Sequence, residues 1–95
     1  MRTMPLMRGR ILGYDANRMA FEFTMMHGAR IVDCEISSTA MDDLAGEKGV
    51  RPDEREAQFR RLRDAIERVA SDIFDQSSMS AVEIIRIFSK HVRNR

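Results

Sequence analysis

The sequence predicts an α+β domain: a three-stranded antiparallel meander, a short helix, a long amphipathic helix packed on the sheet, and a C-terminal fourth strand. Three observations predict it. Met19, Phe21, Phe23 and Met25 alternate with Ala20, Glu22 and Thr24, the period of two expected of a half-buried strand. Phe59, Leu62, Ile66, Val69 and Ile73 recur at spacings of 3, 4, 3 and 4, which lines one stripe of a helix. Short turn-forming segments separate the apolar runs of the first half, so neighbouring strands there run antiparallel.

The elements follow in order. Residues 1–7 show neither alternation nor helical spacing and read as a flexible tail. Arg8 to Tyr14 reads as the first strand, although Gly9 and Gly13 weaken it. Asp15-Ala16-Asn17-Arg18 is turn chemistry. Met19 to Met25 is the second strand, and His27-Gly28 the tight reversal after it, with Gly28 free to take positive φ. Arg30 to Ser37 is the third strand, with Val32, Cys34 and Ile36 inward and Ile31, Asp33 and Glu35 outward. A hydroxyl within Ser37-Ser38-Thr39 caps a short helix bearing Ala40, Met41 and Leu44, and Gly46 stops it.

After a linker over residues 47–51, Pro52 to about Asp75 is the long helix. Asp53 is its expected cap, with Glu56 reaching back as in a capping box. Burying the five stripe residues contributes about 8–15 kcal/mol gross, most of it offset by conformational entropy. Val82 to Phe88 is apolar and β-branched and reads as the fourth strand, with apolar residues on both faces. Residues 90–95 read as a second flexible tail. The 95 residues are expected to form a single domain with one core.

Composition narrows the class. With 43% hydrophobic and 33% charged residues the chain is globular rather than disordered. Its apolar runs fall short of the ~18 residues of a membrane span, and the N-terminal stretch lacks the apolar core of a secretory signal. Cys34 is the lone cysteine, so no intrachain disulfide forms. A cytoplasmic location is the expectation. Seven of the 16 basic residues lie in residues 1–10 and 86–95, where there is no acid, so the body carries nine against 15 acids. Basic ends can follow phosphates, and they also keep a small domain soluble.

No constellation of reactive groups stands out. One cysteine and two histidines at scattered positions match no zinc spacing, and Cys34 on an inward face reads as a small core residue. His27 in a turn and His91 in the tail read as solvated. There is no nucleophile elbow, phosphate-cradling glycine loop or dinucleotide fingerprint. Asp42-Asp43 and Asp53-Glu54 sit on or at helices, where acids near a helix start are favoured. No residue is assigned a catalytic, cofactor-binding or metal-ligating role. The helix pairs Glu56 with Arg60, Arg63 with Glu67 and Asp64 with Arg68 at four-residue spacing, which marks a solvated, ion-paired face more than a phosphate-binding one.

Met19-Ala20-Phe21-Glu22-Phe23, then Gly28 to Ser37, then Phe59-Arg60-Arg61-Leu62-Arg63-Asp64-Ala65-Ile66-Glu67 together carry a resemblance. The chain resembles the bacterial domain-of-unknown-function 1488 family from residue 10 to about 75, though without the tryptophan of that family's first strand. The resemblance implies a small bacterial α+β domain and supplies no activity. It directs attention to Arg60, Arg63 and Glu67, either as a pair locking the helix to the sheet edge or as a binding site. The leading expectation is a non-enzymatic module acting through a protein partner or self-association. Its expected contacts are the two-faced fourth strand, the open sheet edges and a helix end near Ile73 and Phe74 that overhangs the sheet. Nucleic-acid binding through the basic termini is the second expectation and a small enzyme the third.

Overall fold

Period-two alternation places four strands side by side, in a computed structural model that describes residues 5–77 and 84–93. Strands β1 (Met7–Asp15), β2 (Ala20–His27) and β3 (Arg30–Ser37) form the antiparallel meander. A short helix α1 (Ser38–Ala45), a single 3-10 turn (Pro52–Glu54) and the long helix α2 (Arg55–Gln76) follow. Strand β4 (Ile84–Ile87) then pairs with β3 in parallel, and a last helical turn α3 (Ser89–Val92) closes the chain. The sheet order is β1-β2-β3-β4. A parallel neighbour needs a long crossover, which the segment containing α1 and α2 supplies.

Local chemistry sets the boundaries of the middle elements. Gly28, at φ 63, opens a two-residue turn, and His27 pairs with Arg30 across it. That turn fixes the β2–β3 register, so Glu22 faces Glu35 and Phe23 faces Cys34. Ser37 Oγ accepts the Ala40 N–H at the start of α1, and Gly46 ends it in the left-handed region at φ 66. Asp15 Oδ1 accepts the N–H groups of Asn17 and Arg18, which tightens the β1–β2 turn.

The core lies between one face of the sheet and the helices. Phe21, Phe23, Met25, Val32, Cys34, Ile36, Ile85 and Ile87 point into it from the strands, and Phe59, Ile66, Val69, Ala70 and Phe74 meet them from α2. Phe59 stacks on Phe21 at 4.5 Å and tilts against Phe23 at 5.0 Å. Each such aromatic contact adds about 0.5–1.5 kcal/mol beyond the area buried. Ala40 and Met41 of α1 and Val92 of α3 complete the same cluster.

Several sequence expectations change. Met19 is not part of the alternating strand: it sits in the turn at φ 51, 61% exposed, with its carbonyl accepting from both the N–H and the hydroxyl of Ser38. Leu6 is buried and Met7 begins β1, and residues 89–92 are helical with Val92 buried. Leu6 and Val92, within the stretches expected to be tails, are therefore taken into the core, while residues 1–4 and 94–95 lie outside the described residues. The capping expected of Asp53 and Glu56 is replaced. Pro52, with its preset φ, starts the helical turn, so Arg51 becomes the flanking residue and Glu54 accepts its N–H.

In the last turns of α2 the core-facing line steps by four, from Ile66 to Ala70 to Phe74, and leaves Ile73 half-buried. A phenyl ring gains more from burial than an isoleucine, and Phe74 ends beneath the His27 ring at 5.0 Å. The expected overhang near Phe74 is thus inside the core, and His27 is packed rather than simply solvated. His91 likewise accepts the Phe88 N–H through Nδ1, and burial and then the charge of Lys90 hold its pKa below the usual histidine range. The expected fourth strand, Val82 to Phe88, ends at Ile87, since Phe88 caps α3; its residues 82 and 83 lie outside the described residues. Within β4, Ile85 and Ile87 face inward, while Arg86 and the half-buried Ile84 lie on the outward side, so apolar residues occur on both faces as expected.

Gly9 shows how closely β1 meets β2. A Cβ at this position would fall inside van der Waals contact of the Thr24 carbonyl and hydroxyl oxygens, and the same hydroxyl accepts the Arg10 N–H at 2.9 Å. Gly9→Ala is expected to destabilise the protein by about 1–3 kcal/mol, the range for overpacking a tight site. Urea unfolding checks this, and an unchanged midpoint would contradict the close approach.

Candidate functional site

Helix α2 carries a densely charged side, and the structure sorts its members by where they reach. Arg60 stays at the surface and pairs with Glu56 at 2.8 Å. Arg63 and Glu67 are largely covered, at 17% and 13% side-chain exposure, and Arg63 Nε donates to Glu67 Oε2 at 3.0 Å. Arg63 Nη2 also donates to the Gly9 carbonyl at 3.3 Å. Arg8 from β1 places Nε and Nη2 on Glu67 and Nη2 on Asp64 at 2.8 Å. These contacts, the Glu67 hydrogen bond foremost, raise the Arg8 pKa further above its ordinary value. So Arg63 and Glu67 meet, with Arg8 as a third member, while Arg60 lies apart from both.

A second polar cluster joins α1 to α2. Arg55 and Gln58 are buried, at 6% and 0% exposure. Arg55 Nη1 donates to Asp42 Oδ1 and to Gln58 Oε1, both at 2.7 Å. Gln58 Nε2 donates to Asp42 Oδ1 and Glu47 Oε1, and Arg61 holds the other side of Glu47. The Arg55 guanidinium lies 5.7 Å from the centre of the Tyr14 ring, a cation–π distance. Tyr14 in turn shares a 2.8 Å hydrogen bond with Ser38. This cluster was missed in the sequence; the one sign was that Arg55 precedes Phe59 by four residues, in line with the apolar stripe, and nothing local names Asp42 as its partner.

The third arrangement is on the sheet face away from the helices. Met7 is the cross-strand partner of Met26, and Met26 of Ile31, which makes an apolar row across three strands. Four strand positions along, Glu22 faces Glu35 and Glu35 faces Arg86. Like charges directly opposite destabilise a sheet, and Arg18 folds over from the turn to answer them. Its Nε and Nη2 donate to the two Glu35 oxygens at 3.1 and 2.8 Å, and Arg86 lies at 3.4 Å. Glu35, expected outward in water, is on the outward face but covered, at 5% exposure. Leu12, Glu22, Asp33, Glu35 and Ile84 border a shallow hollow of about 210 Å³ there.

Reactive groups are few. Burial, and then the charge of Asp33, push the Cys34 thiol up to about 12, so it carries no thiolate at neutral pH. Among the described residues no three His, Cys, Asp or Glu side chains converge to hold a metal ion, and no helix is long and apolar enough to cross a membrane.

Comparison with known proteins places the fold. A family described as "Protein of unknown function (DUF1488)" matches residues 9–85. The crystal structure of a protein of unknown function of that family, from Shewanella loihica PV-4, is similar with a TM-score of 0.75. That likeness covers 92% of this chain and 96% of that one at 21% identity, a level that speaks for the fold alone. No protein of curated function matches.

Asp42 gives the site a pH signature. Burial raises its pKa, but the hydrogen bonds from Arg55 and Gln58 outweigh that and hold it below the usual aspartate value. A carboxyl depressed in the folded state contributes stability above its unfolded pKa, about 3.9, and loses it as pH falls through the lower folded value. Asp42→Asn is therefore expected to lower stability at neutral pH and to lessen the further loss between neutral and strongly acid pH. Urea midpoints for both proteins across that range check it, and parallel curves would contradict the pairing.

Proposed function

The chain belongs to the DUF1488 family of proteins of unknown function, and we propose that it is a non-enzymatic protein-interaction module that meets a partner protein through the uncovered face of its sheet. The observation that carries this reading is the apolar row on that face. Met7 and Ile31, its two ends, are 59% and 63% exposed, and Leu12, farther along β1 at the edge of the hollow, is 58% exposed. Scattered surface apolar residues need no explanation, but a contiguous patch on a small protein marks a contact surface. Methionines at two of the three positions suit such a use, since their side chains adapt to different partners.

The rest of the molecule supports the same reading. Buried polar side chains of α2 pair within the fold: Arg55 Nη1 with Asp42 of α1 and with Gln58, and Arg63 with Glu67. The Cys34 thiol is protonated and in the core. Binding thus falls to the face whose side chains the fold itself does not use.

Incorporating a photo-crosslinking amino acid at position 31, with position 60 on the opposite helix as control, tests the proposal in the protein's own cell. The expected outcome is a discrete protein adduct from position 31 and none from position 60. No adduct at 31, or the same adducts at both, would overturn it.

A further inference from the structure

The charges around the apolar row say what kind of partner segment fits. Three carboxylates border the hollow: Glu22, Asp33 and Glu35. Two guanidinium groups reach this region, Arg18 and Arg86, and both contact Glu35. Glu22 and Asp33 have no ion pair or hydrogen-bonded partner for their carboxylates among the described residues. They stand between the Leu12 side chain on β1 and Ile84 on β4, with the Met7–Met26–Ile31 row two strand positions away from Asp33. The hollow therefore combines apolar walls with two open acceptors. Glu35 shows the chemistry this face already takes, since an arginine fork closes over it with both oxygens engaged.

Resting on the proposed docking face, we infer that the partner presents a basic amphipathic segment: apolar side chains against Met7, Met26 and Ile31, and a lysine or arginine in the hollow against Glu22 and Asp33. The long side chains of Lys and Arg suit such a place, because their stems cover apolar surface while the charged head reaches an acid. An acidic or neutral apolar segment would leave Asp33 without a countercharge, and Glu22 with only the attraction of Arg18, whose fork is engaged by Glu35, at a desolvated contact, which is costly. Opposite charge across the contact also speeds encounter at low salt.

The experiment uses two short amphipathic peptides, one of leucine and lysine and one of leucine and glutamate, titrated into the full chain while amide chemical shifts are followed. The Leu/Lys peptide is expected to shift residues on the outward face, around positions 12, 22, 31, 33 and 84, and the Leu/Glu peptide to leave them in place. Glu22→Gln with Asp33→Asn is expected to weaken Leu/Lys binding about tenfold or more, the scale of losing hydrogen bonds to charged groups. Unchanged thermal melts show that these variants are folded. Equal binding of both peptides, or Leu/Lys binding that ignores Glu22→Gln and Asp33→Asn, overturns the basic partner. Loss of that binding in Ile31→Ser would then leave the docking face itself standing. A dimer in sedimentation that Ile31→Lys dissociates assigns the face to a second copy and likewise overturns the basic partner. Shifts confined to the helices overturn both readings.

Discussion

Phe59 lies against Phe21 and Phe23 at ring separations of 4.5 and 5.0 Å, and the placement of every other part of the molecule follows from that contact. It holds α2 on the face of β2 that carries the phenyl rings. Ile66, Ala70 and Phe74 then run across the same side of the sheet, and the crossover returns the chain as β4 beside β3. Because the helical mass sits on one face, among the described residues the opposite face carries only the sheet's own side chains and Arg18 from the β1–β2 turn. The functional reading is a consequence of this one-sidedness.

The polar contacts refine a position that packing chooses. Arg8, Arg63 and Glu67 tie α2 to β1 at Gly9, and Arg55, Gln58 and Asp42 tie it to α1. The first cluster is half open to solvent, where ion pairs contribute about 0–1 kcal/mol each. The second is buried, so its members depend on one another: removing Asp42 would leave the Arg55 charge inside without its carboxylate, a situation that costs several kcal/mol. Dense charge on the helix thus serves mainly to fix its rotation and tilt.

How much of this was legible in the sequence depended on the range of each interaction. Strand β3 was placed at Arg30 to Ser37, and a hydroxyl cap within residues 37–39 and a stop at Gly46 were readable, because turns and caps are decided by a few adjacent residues. The two-residue turn at Gly28 fixed which residues of β2 and β3 face each other. The parallel pairing of β4 and the burial of Arg55 by Asp42 were not readable, since each partner is brought from another element by the fold. The same holds for Arg8, which was placed at the start of the first strand as part of the basic N-terminal end and is engaged by Asp64 and Glu67 across a separation of more than fifty residues. Of the three residues singled out, Arg63 and Glu67 occupy one cluster and Arg60 another surface. Their four-residue spacing showed only that they could pair.

The outward face was the least legible feature, because its meaning lies in what does not cover it. Alternation assigned Ile31 outward correctly, but Met7 joined the row only through pairing with Met26. Relaxation of methyl signals by a soluble gadolinium probe, at protein concentrations low enough to avoid association, tests the one-sided arrangement most directly. Strong enhancement at Met7, Leu12 and Ile31, with protection of Ile66, Val69 and Ile85, is the result this account predicts. Equal protection on the two sides of the sheet would contradict it.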